Sequence, residues 1–197
     1  LNTASGGGDI VIGGGLPDAN NPNRPGGTAA GTGGTYNTTG TSDNTGVQLG
    51  SLGNAGTGSK IWSAGGNISI RGRMVSGAGG AWAAGIAVVS GADIRSGTGK
   101  IAIYGETAGP VGGIDGNIEF AAWGGAFSTT IESLSTASDA IIVEGNNSTA
   151  DTSEYGIFGN NDSLFSTPGG FTLRSDIIAS NFDPDLSVSG QVVIESY

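Results

Sequence analysis

Apolar residues alternate with polar ones over short stretches that are bounded by glycine, and this pattern recurs along the chain. The clearest case runs from Gly85 to Gly105 and reads GIAVVSGADIRSGTGKIAIYG, with three short alternating runs and no helical period. Related runs are GDIVIGG, GNISIRG, GNIEFAA, DAIIVEG, GFTLRS and GQVVIES. A period of two predicts β-strands with one buried face each. The sequence therefore predicts an all-β protein built from repeated strand triplets.

A spacing of seven residues joins the apolar residues of neighbouring runs. It occurs in the pairs Ile61/Ile68, Ile94/Ile101, Val111/Ile118, Leu134/Ile141 and Leu164/Phe171. A strand that returns after loops of variable length is typical of a solenoid, in which each turn buries its apolar face by stacking on its neighbours. We therefore predict a parallel β-solenoid with long Gly/Asn/Thr-rich insertions at one corner.

Superposition of the third run of each turn predicts which side chains stack on one another. Two inward columns contain only large apolar residues: Ile68, Ile101, Ile118, Ile141, Phe171 and Val192 in one, and Ile70, Ile103, Phe120, Val143, Leu173 and Ile194 in the other. The outward columns are mixed, as on a solvated face. In one of them Glu144, Arg174 and Glu195 alternate in charge, which favours this register over a slip by one residue.

The pattern divides the chain into three regions. Residues 1–14 contain one strand of a preceding turn, and residues 46–197 contain the stacked turns. Residues 15–45 have almost no β-branched aliphatic side chains and many turn residues, so we expect a long flexible loop outside the stack. Because the chain begins at Leu1 without an initiator Met, we expect it to be a slice of a longer protein.

Composition narrows the classes of function. The 40 glycines follow no Gly-X-Y period, which excludes collagen. The net charge of −10 argues against nucleic acid and anionic membranes, since both require clustered cations. The lack of histidine and cysteine removes the commonest general base, disulfides and thiolate zinc sites. No apolar run approaches the roughly 20 residues of a membrane span. We predict no cofactor and no membrane insertion.

The pattern G-I-x(n)-I-x-S-x-x-G-x-I-x-I-x-G, present here from Gly85 to Gly105, resembles the repeat of filamentous-haemagglutinin-like exoproteins. These are large adhesins of two-partner secretion, and the resemblance covers residues 46–197. It implies a right-handed parallel β-helix, a secreted or bacterial cell-surface location, and export through an outer-membrane transporter as partner. The family roles that it implies are adhesion, biofilm formation and presentation of a distal toxin.

Aromatic and amide side chains supply the candidate contact residues. Trp82, Trp123 and the outward Tyr104 carry rings on which a carbohydrate could stack, while the alternative for the tryptophans is that they cap the core at corners. Asn37 and Asn146 begin Asn-x-Ser/Thr sequences in predicted loops and are candidate glycosylation sites. Trp62 follows an inward isoleucine, so it is a third tryptophan that could point outward.

Acidic side chains supply candidates for catalysis and for calcium binding. Polysaccharide-cleaving β-helices need converging carboxylates, and the candidate pairs are Asp115/Glu119, Asp139/Glu144 and Asp183/Asp185. Their positions at strand starts and in a turn favour hydrogen bonds to the backbone. The segment Asn160–Asp162 offers oxygens for calcium, but no calcium-loop motif accompanies it. We predict no catalytic residue and no metal ligand.

These observations predict a non-enzymatic shaft segment of a secreted or cell-surface adhesin. Its partners would be host or surface carbohydrate or protein. The first alternative is a self-assembling filament subunit, because the open end turns of a solenoid carry unpaired strand edges that another copy could extend. A carbohydrate-active enzyme is the third reading.

Overall fold

The computed structural model describes residues 1–3, 7–13, 29–31, 46–50, 58–74, 84–89, 91–107, 116–121, 128–147, 155–160 and 163–196. Within these ranges the chain forms β-strands, turns and extended connections, and it contains no helix that could cross a membrane. The strands are β1 (Ile10–Ile12), β2 (Ala29–Gly31), β3 (Val47–Leu49), β4 (Lys60–Trp62), β5 (Ile68–Met74), β6 (Ala84–Val89), β7 (Asp93–Arg95), β8 (Ile101–Thr107), β9 (Gly116–Ala121), β10 (Thr129–Glu132), β11 (Ile141–Asn147), β12 (Tyr155–Asn160), β13 (Ser163–Thr167), β14 (Phe171–Ser175), β15 (Asp185–Val188) and β16 (Val192–Glu195).

The strands form three sheets, and every strand pair in them is parallel. The seven-stranded sheet has the order β1-β5-β8-β11-β14-β16, with β2 beside the second half of β5. The five-stranded sheet has the order β4-β7-β10-β13-β15, and the four-stranded sheet has the order β3-β6-β9-β12. The prediction of an all-β fold with parallel strands is confirmed.

The chain visits the three sheets in the same order on every passage. β3, β4 and β5 enter the four-, five- and seven-stranded sheets in turn, and the next three triplets repeat that order. Each triplet forms one rung of the stack. The last rung consists of Ile178, which bridges to Ile157 of β12, followed by β15 and β16. Parallel pairing between successive rungs is consistent with a β-solenoid.

All three sheets contribute to one apolar core. In the seven-stranded sheet the register stacks Ile10, Ile68, Ile101, Ile141 and Phe171, all of which are buried. The five-stranded sheet adds Ile61, Ile94, Ile131 and Phe165, and the four-stranded sheet adds Ile86, Ile118 and Ile157. Phenylalanine rings join the sheets, because Phe165 lies 5.4 Å from Phe120 and 5.0 Å from Phe171 between ring centroids. Burial of such columns by stacking supplies the main stabilisation of the fold.

The structure corrects the position of one predicted rung. Ile118 and Phe120 were expected in the columns of Ile101 and Ile103, but β9 belongs to the four-stranded sheet, where it pairs with β6 and β12. In the seven-stranded sheet β8 pairs directly with β11. Strands of the two sheets have the same alternating pattern because they face the same core, so the pattern alone does not say to which sheet a strand belongs.

The seven-residue spacing is correct for two of its five pairs. All four residues of the pairs Ile61/Ile68 and Ile94/Ile101 are buried in the core. Ile61 stacks on Ile94, and Ile68 stacks on Ile101. The choice of Leu134 is wrong, because it is 56% exposed and Ile131 occupies the core instead. Leu164 is also wrong, since it points away from the core and Phe165 replaces it. Val111, in the remaining pair, lies outside the described residues.

Buried hydroxyl groups form the corner between the five- and seven-stranded sheets. Ser63, Ser96 and Ser133 directly follow β4, β7 and β10. Thr167 is the last residue of β13, and all four side chains are buried. The Ser96 and Ser133 hydroxyls both donate to the Gly99 carbonyl, at 2.6 and 2.7 Å. Gly97 makes the sharp turn with φ +60°, a conformation that other residues rarely adopt. The S-x-x-G part of the repeat therefore encodes this corner.

Glycine is also required where the seven-stranded sheet meets the four-stranded sheet. Gly72, Gly105 and Gly145 stack in register on consecutive rungs. A Cβ atom at Gly105 would lie 2.1 Å from the Asn117 carbonyl oxygen, and one at Gly145 would lie 2.1 Å from the Gly156 carbonyl oxygen. Any side chain here would separate the two sheets, which explains the glycine that ends the alternating run.

All three predicted regions are described only in part. β1, within residues 1–14, pairs with β5 so that Ile10 stacks on Ile68. β2 lies within residues 15–45, and the rest of that segment is outside the described residues. The assignment of 15–45 as a flexible loop stays a prediction.

Candidate functional site

Charged side chains form a ladder on the outer face of the seven-stranded sheet. Arg174 lies between Glu144 and Glu195 on consecutive strands, as the register predicts. Its Nη1 is 3.2 Å from Glu144 Oε2, and its Nε donates to Glu195 Oε1 at 2.9 Å. Nearby, Arg71 Nη2 donates to Glu106 Oε1 at 2.8 Å. The guanidinium groups of Arg71 and Arg174 are therefore neutralised within the chain.

The same outer face is less exposed than a solvated face should be. Ser69, Tyr104 and Glu144 point away from the core, yet each is more than nine-tenths buried. Tyr104 lies between Arg71 and Glu144 in the register. Its ring is therefore not an open platform, and its role as a ligand contact stays a prediction.

Of the other predicted contact and glycosylation residues, the structure describes only Asn146. Trp82, Trp123 and Asn37 lie outside the described residues. Asn146 was expected in a loop, which is wrong, because β11 continues to Asn147 and Asn146 pairs with Glu106 in register. It is half-buried in that position. Glycosylation at Asn37 and Asn146 stays a prediction.

Trp62 lies on the outer face of the five-stranded sheet beside Arg95. The Lys60 ammonium lies 5.0 Å from its ring centroid, which is a cation–π distance. Arg95 Nε donates to Asp93 Oδ1 at 2.7 Å, and this hydrogen bond raises the pKa of Arg95 above its ordinary value. A shallow groove of about 270 Å³ is lined by Trp62 and Arg95 and continues to Asn2 and Glu132.

The acidic candidate residues do not converge in the part of the chain that the structure describes. Asp139 is paired with Lys100, whereas Glu144 is paired with Arg174. Glu119 lies in the four-stranded sheet, and Asp183 and Asp185 are exposed before and at the start of β15. Asp115, Asn161 and Asp162 are outside the described residues. Within the described ranges, no three acidic side chains gather where they could hold a metal ion.

The last rung exposes apolar columns that are buried in the rung directly below it. Leu186 and Val192 are each 43% exposed and Ile194 is 66% exposed, whereas Phe165, Phe171 and Leu173 beneath them are buried. β15 and β16 each pair on one side, and the described residues place no strand on the other. The sequence indicates the column positions of Val192 and Ile194, because the alternating run GQVVIES repeats the pattern of the earlier third runs.

Comparison of the chain with protein-family models, curated protein sequences and solved structures found no match. A function for this chain therefore has to be argued from its strand stack, its outer faces and its end rung.

Proposed function

We propose that the chain is a right-handed parallel β-helix that serves as a rigid shaft and display surface in a secreted or cell-surface bacterial exoprotein. The observation that carries this proposal is the set of apolar columns that run in register from rung to rung in all three sheets. A stack of this kind transmits force along one axis, since each rung is joined to the next by strand pairing and by side-chain burial.

The dimensions of the stack suit a spacer. The main path of the seven-stranded sheet contains six strands, one from each rung. At about 4.8 Å between hydrogen-bonded strands, this segment contributes on the order of 30 Å of axial length. Further turns of the same kind would lengthen the rod without a change in its cross-section.

The outer surface suits contact with neutral partners. Arg71, Arg95, Lys100 and Arg174 are each paired with a carboxylate on the same or a neighbouring rung. With these four of its seven cationic side chains paired and a net charge of −10, the chain offers little to an anionic polymer. Host or surface carbohydrate or protein is the partner class in this proposal, and an outer-membrane transporter is the export partner.

Electron microscopy of the untagged protein from its natural source, at several dilutions, tests the shaft. Isolated short rods, or thin fibres that persist at every dilution because each is one covalent chain, would support it. Filaments that shorten on dilution, with a constant axial repeat near 30 Å for six strand spacings, would overturn it. A crystal structure with left-handed turns would contradict the right-handed β-helix assignment.

The exposed last rung favours self-assembly as a second candidate function. If a second copy stacked on this rung in the observed register, Val192 and Ile194 would lie over its Ile10 and Ile12. Leu186 would lie over Leu1, which is 73% exposed and precedes the bridge between Asn2 and Trp62. Head-to-tail stacking would continue both columns and satisfy the free strand edges.

Analytical ultracentrifugation over a hundredfold range of concentration tests this second function. Self-assembly predicts a rise in sedimentation coefficient with concentration and its loss in Ile194→Lys, which introduces a charge into the stacking surface. Val11→Lys is the matched control, because Val11 is 64% exposed but points outward from the terminal strand β1. Sedimentation that does not depend on concentration would exclude this function.

A further inference from the structure

A second groove lies on the outer face of the seven-stranded sheet, in a different place from the Trp62 groove. It spans β5, β8 and β11 and has a volume of about 170 Å³. Ser69, Ala102 and Ile142 lie along it and are neighbours in one outward column. An engineered cavity of about 150 Å³ accepts a six-membered ring such as benzene. The groove therefore has room for one small ring compound.

The sequence explains why the sheet is hollow at this point. Ser69 and Ala102 have the smallest side chains in their outward column, and the larger Ile142 follows on the next strand. Tyr104, two residues from Ala102 on the same strand, also lines the groove. The small side chains of Ser69 and Ala102 thus form the floor of the groove. The larger side chains of Ile142 and Tyr104 form two of its borders.

An internal ion pair forms another border of the groove. The Lys100 ammonium contacts both carboxylate oxygens of Asp139, at 2.6 and 2.8 Å, and both side chains are 45% exposed. Because the charges compensate each other, the groove has no excess charge for an anion or a cation. The pair still offers N–H donors and carboxylate acceptors to a neutral, hydroxyl-bearing ligand.

The Ser69 hydroxyl is the most informative group in the groove. Ser69 is only 5% exposed, and its Oγ is buried without a hydrogen-bond partner among the described residues. Buried hydroxyl groups are nearly always paired, since an unpaired one costs free energy. Rotation of the Ser69 side chain about its Cα–Cβ bond would turn Oγ toward the groove, where a ligand hydroxyl would supply the missing partner.

We propose that this groove binds one neutral sugar ring of pyranose size. A pyranose combines hydroxyl groups with apolar C–H faces, and the groove combines Ser69 and the Lys100–Asp139 pair with the apolar Ala102 and Ile142. A free monosaccharide and the terminal ring of a glycan share this chemistry. This inference rests on the display part of the proposed function and does not depend on the shaft.

Titrations followed by ¹H–¹⁵N NMR of the full chain test the site. The probes are D-glucose, D-galactose, D-mannose and N-acetyl-D-glucosamine, with inorganic phosphate as the anionic comparison. At least one sugar should shift the amide signals of Ser69, Lys100 and Ala102, and phosphate should not. Shifts confined to Trp62 and Arg95, or no shift with any sugar, would overturn the proposal.

Two variants and one control make the test specific. Ser69→Ala should keep the fold, because it removes only an unpaired hydroxyl, and should weaken binding by about tenfold if the ligand bonds to that group. Ala102→Leu fills the floor and should abolish binding. Thr172→Leu adds bulk to the same outward column beyond the groove and should leave binding unchanged. Equal binding by all three variants would overturn the site, whereas the rods seen by microscopy would be unaffected.

Discussion

Gly105 illustrates how a single residue without a side chain sets the distance between two sheets. Its backbone conformation is not in the left-handed region, so the requirement for glycine comes from space alone. The Asn117 carbonyl and the Ile118 side chain would lie 2.1 and 2.4 Å from an added Cβ atom. The Asn117 carbonyl oxygen belongs to the backbone, so it cannot move away without separating β8 from β9.

Gly105→Ala is expected to lower the free energy of unfolding by about 3 kcal/mol, the upper range for overpacking a dense interior. Urea denaturation followed by circular dichroism measures this change. Gly8→Ala is the control, because a Cβ at Gly8 would meet nothing within 4 Å. It should change stability by less than about 0.5 kcal/mol. Equal effects of the two substitutions would contradict the close approach of the sheets.

Ser133 makes a second prediction at this scale. Its hydroxyl donates to the Gly99 carbonyl at 2.7 Å and accepts from the Ser135 amide at 3.1 Å, in a fully buried position. Ser133→Ala should cost about 2 kcal/mol of folding free energy, because the buried Ser135 amide loses its partner. Ser138→Ala, at an exposed position of the same connection, should be neutral. A neutral Ser133→Ala would show that the hydroxyl is not part of the corner.

At the scale of the element, the structure differs from the sequence prediction at β10. The seven-residue spacing chose Leu134 as the core residue before β11, whereas the structure stacks Ile131 between Ile94 and Phe165. The connection from this rung to β11 is longer than in the two earlier rungs, so a fixed offset selects the wrong residue.

Paired alanine substitutions in this segment test the register. Ile131→Ala should lower the free energy of unfolding by about 3 kcal/mol, because it leaves a cavity in a column that is fully buried. Leu134→Ala should change it by less than about 0.5 kcal/mol, since the side chain is mostly exposed. Urea denaturation measures both changes. If Leu134→Ala proved the more destabilising substitution, Leu134 would be the core residue, as the seven-residue spacing predicted.

For the whole molecule, a stack in which each rung contacts only its neighbours has uneven stability. β8 pairs with β5 on one side and with β11 on the other. β16 pairs with β14, and the described residues place nothing beyond it. Local opening should therefore be easier at the last rung than in the middle of the stack.

Hydrogen exchange measured by mass spectrometry on the dilute protein tests this gradient. Peptides from β8 and β11 should exchange at least about a hundredfold more slowly than peptides from β16, because the terminal strand can open without breaking the core. Ile194→Ala should accelerate exchange only near the last rung. Uniform exchange along the chain would show that the stack opens as one cooperative unit.

The sequence by itself determined the period, and the period determined the strands and the side of each strand that faces the core. It also identified the Glu144–Arg174–Glu195 ladder, because charges at the same position of matching runs lie side by side only in one register. The parallel all-β fold followed, since the same short strand recurs after loops of different length.

Only the tertiary structure decided which sheet each strand joins and what covers its outer side. β9 and β11 have similar alternation because both face one shared core, so their patterns do not distinguish two sheets. The buried Ser69 and Tyr104 carry no local signal, since an outward position is polar or apolar depending on what lies against it. The physical reason is that period two encodes inside and outside, whereas sheet membership and grooves depend on contacts between residues far apart in the chain.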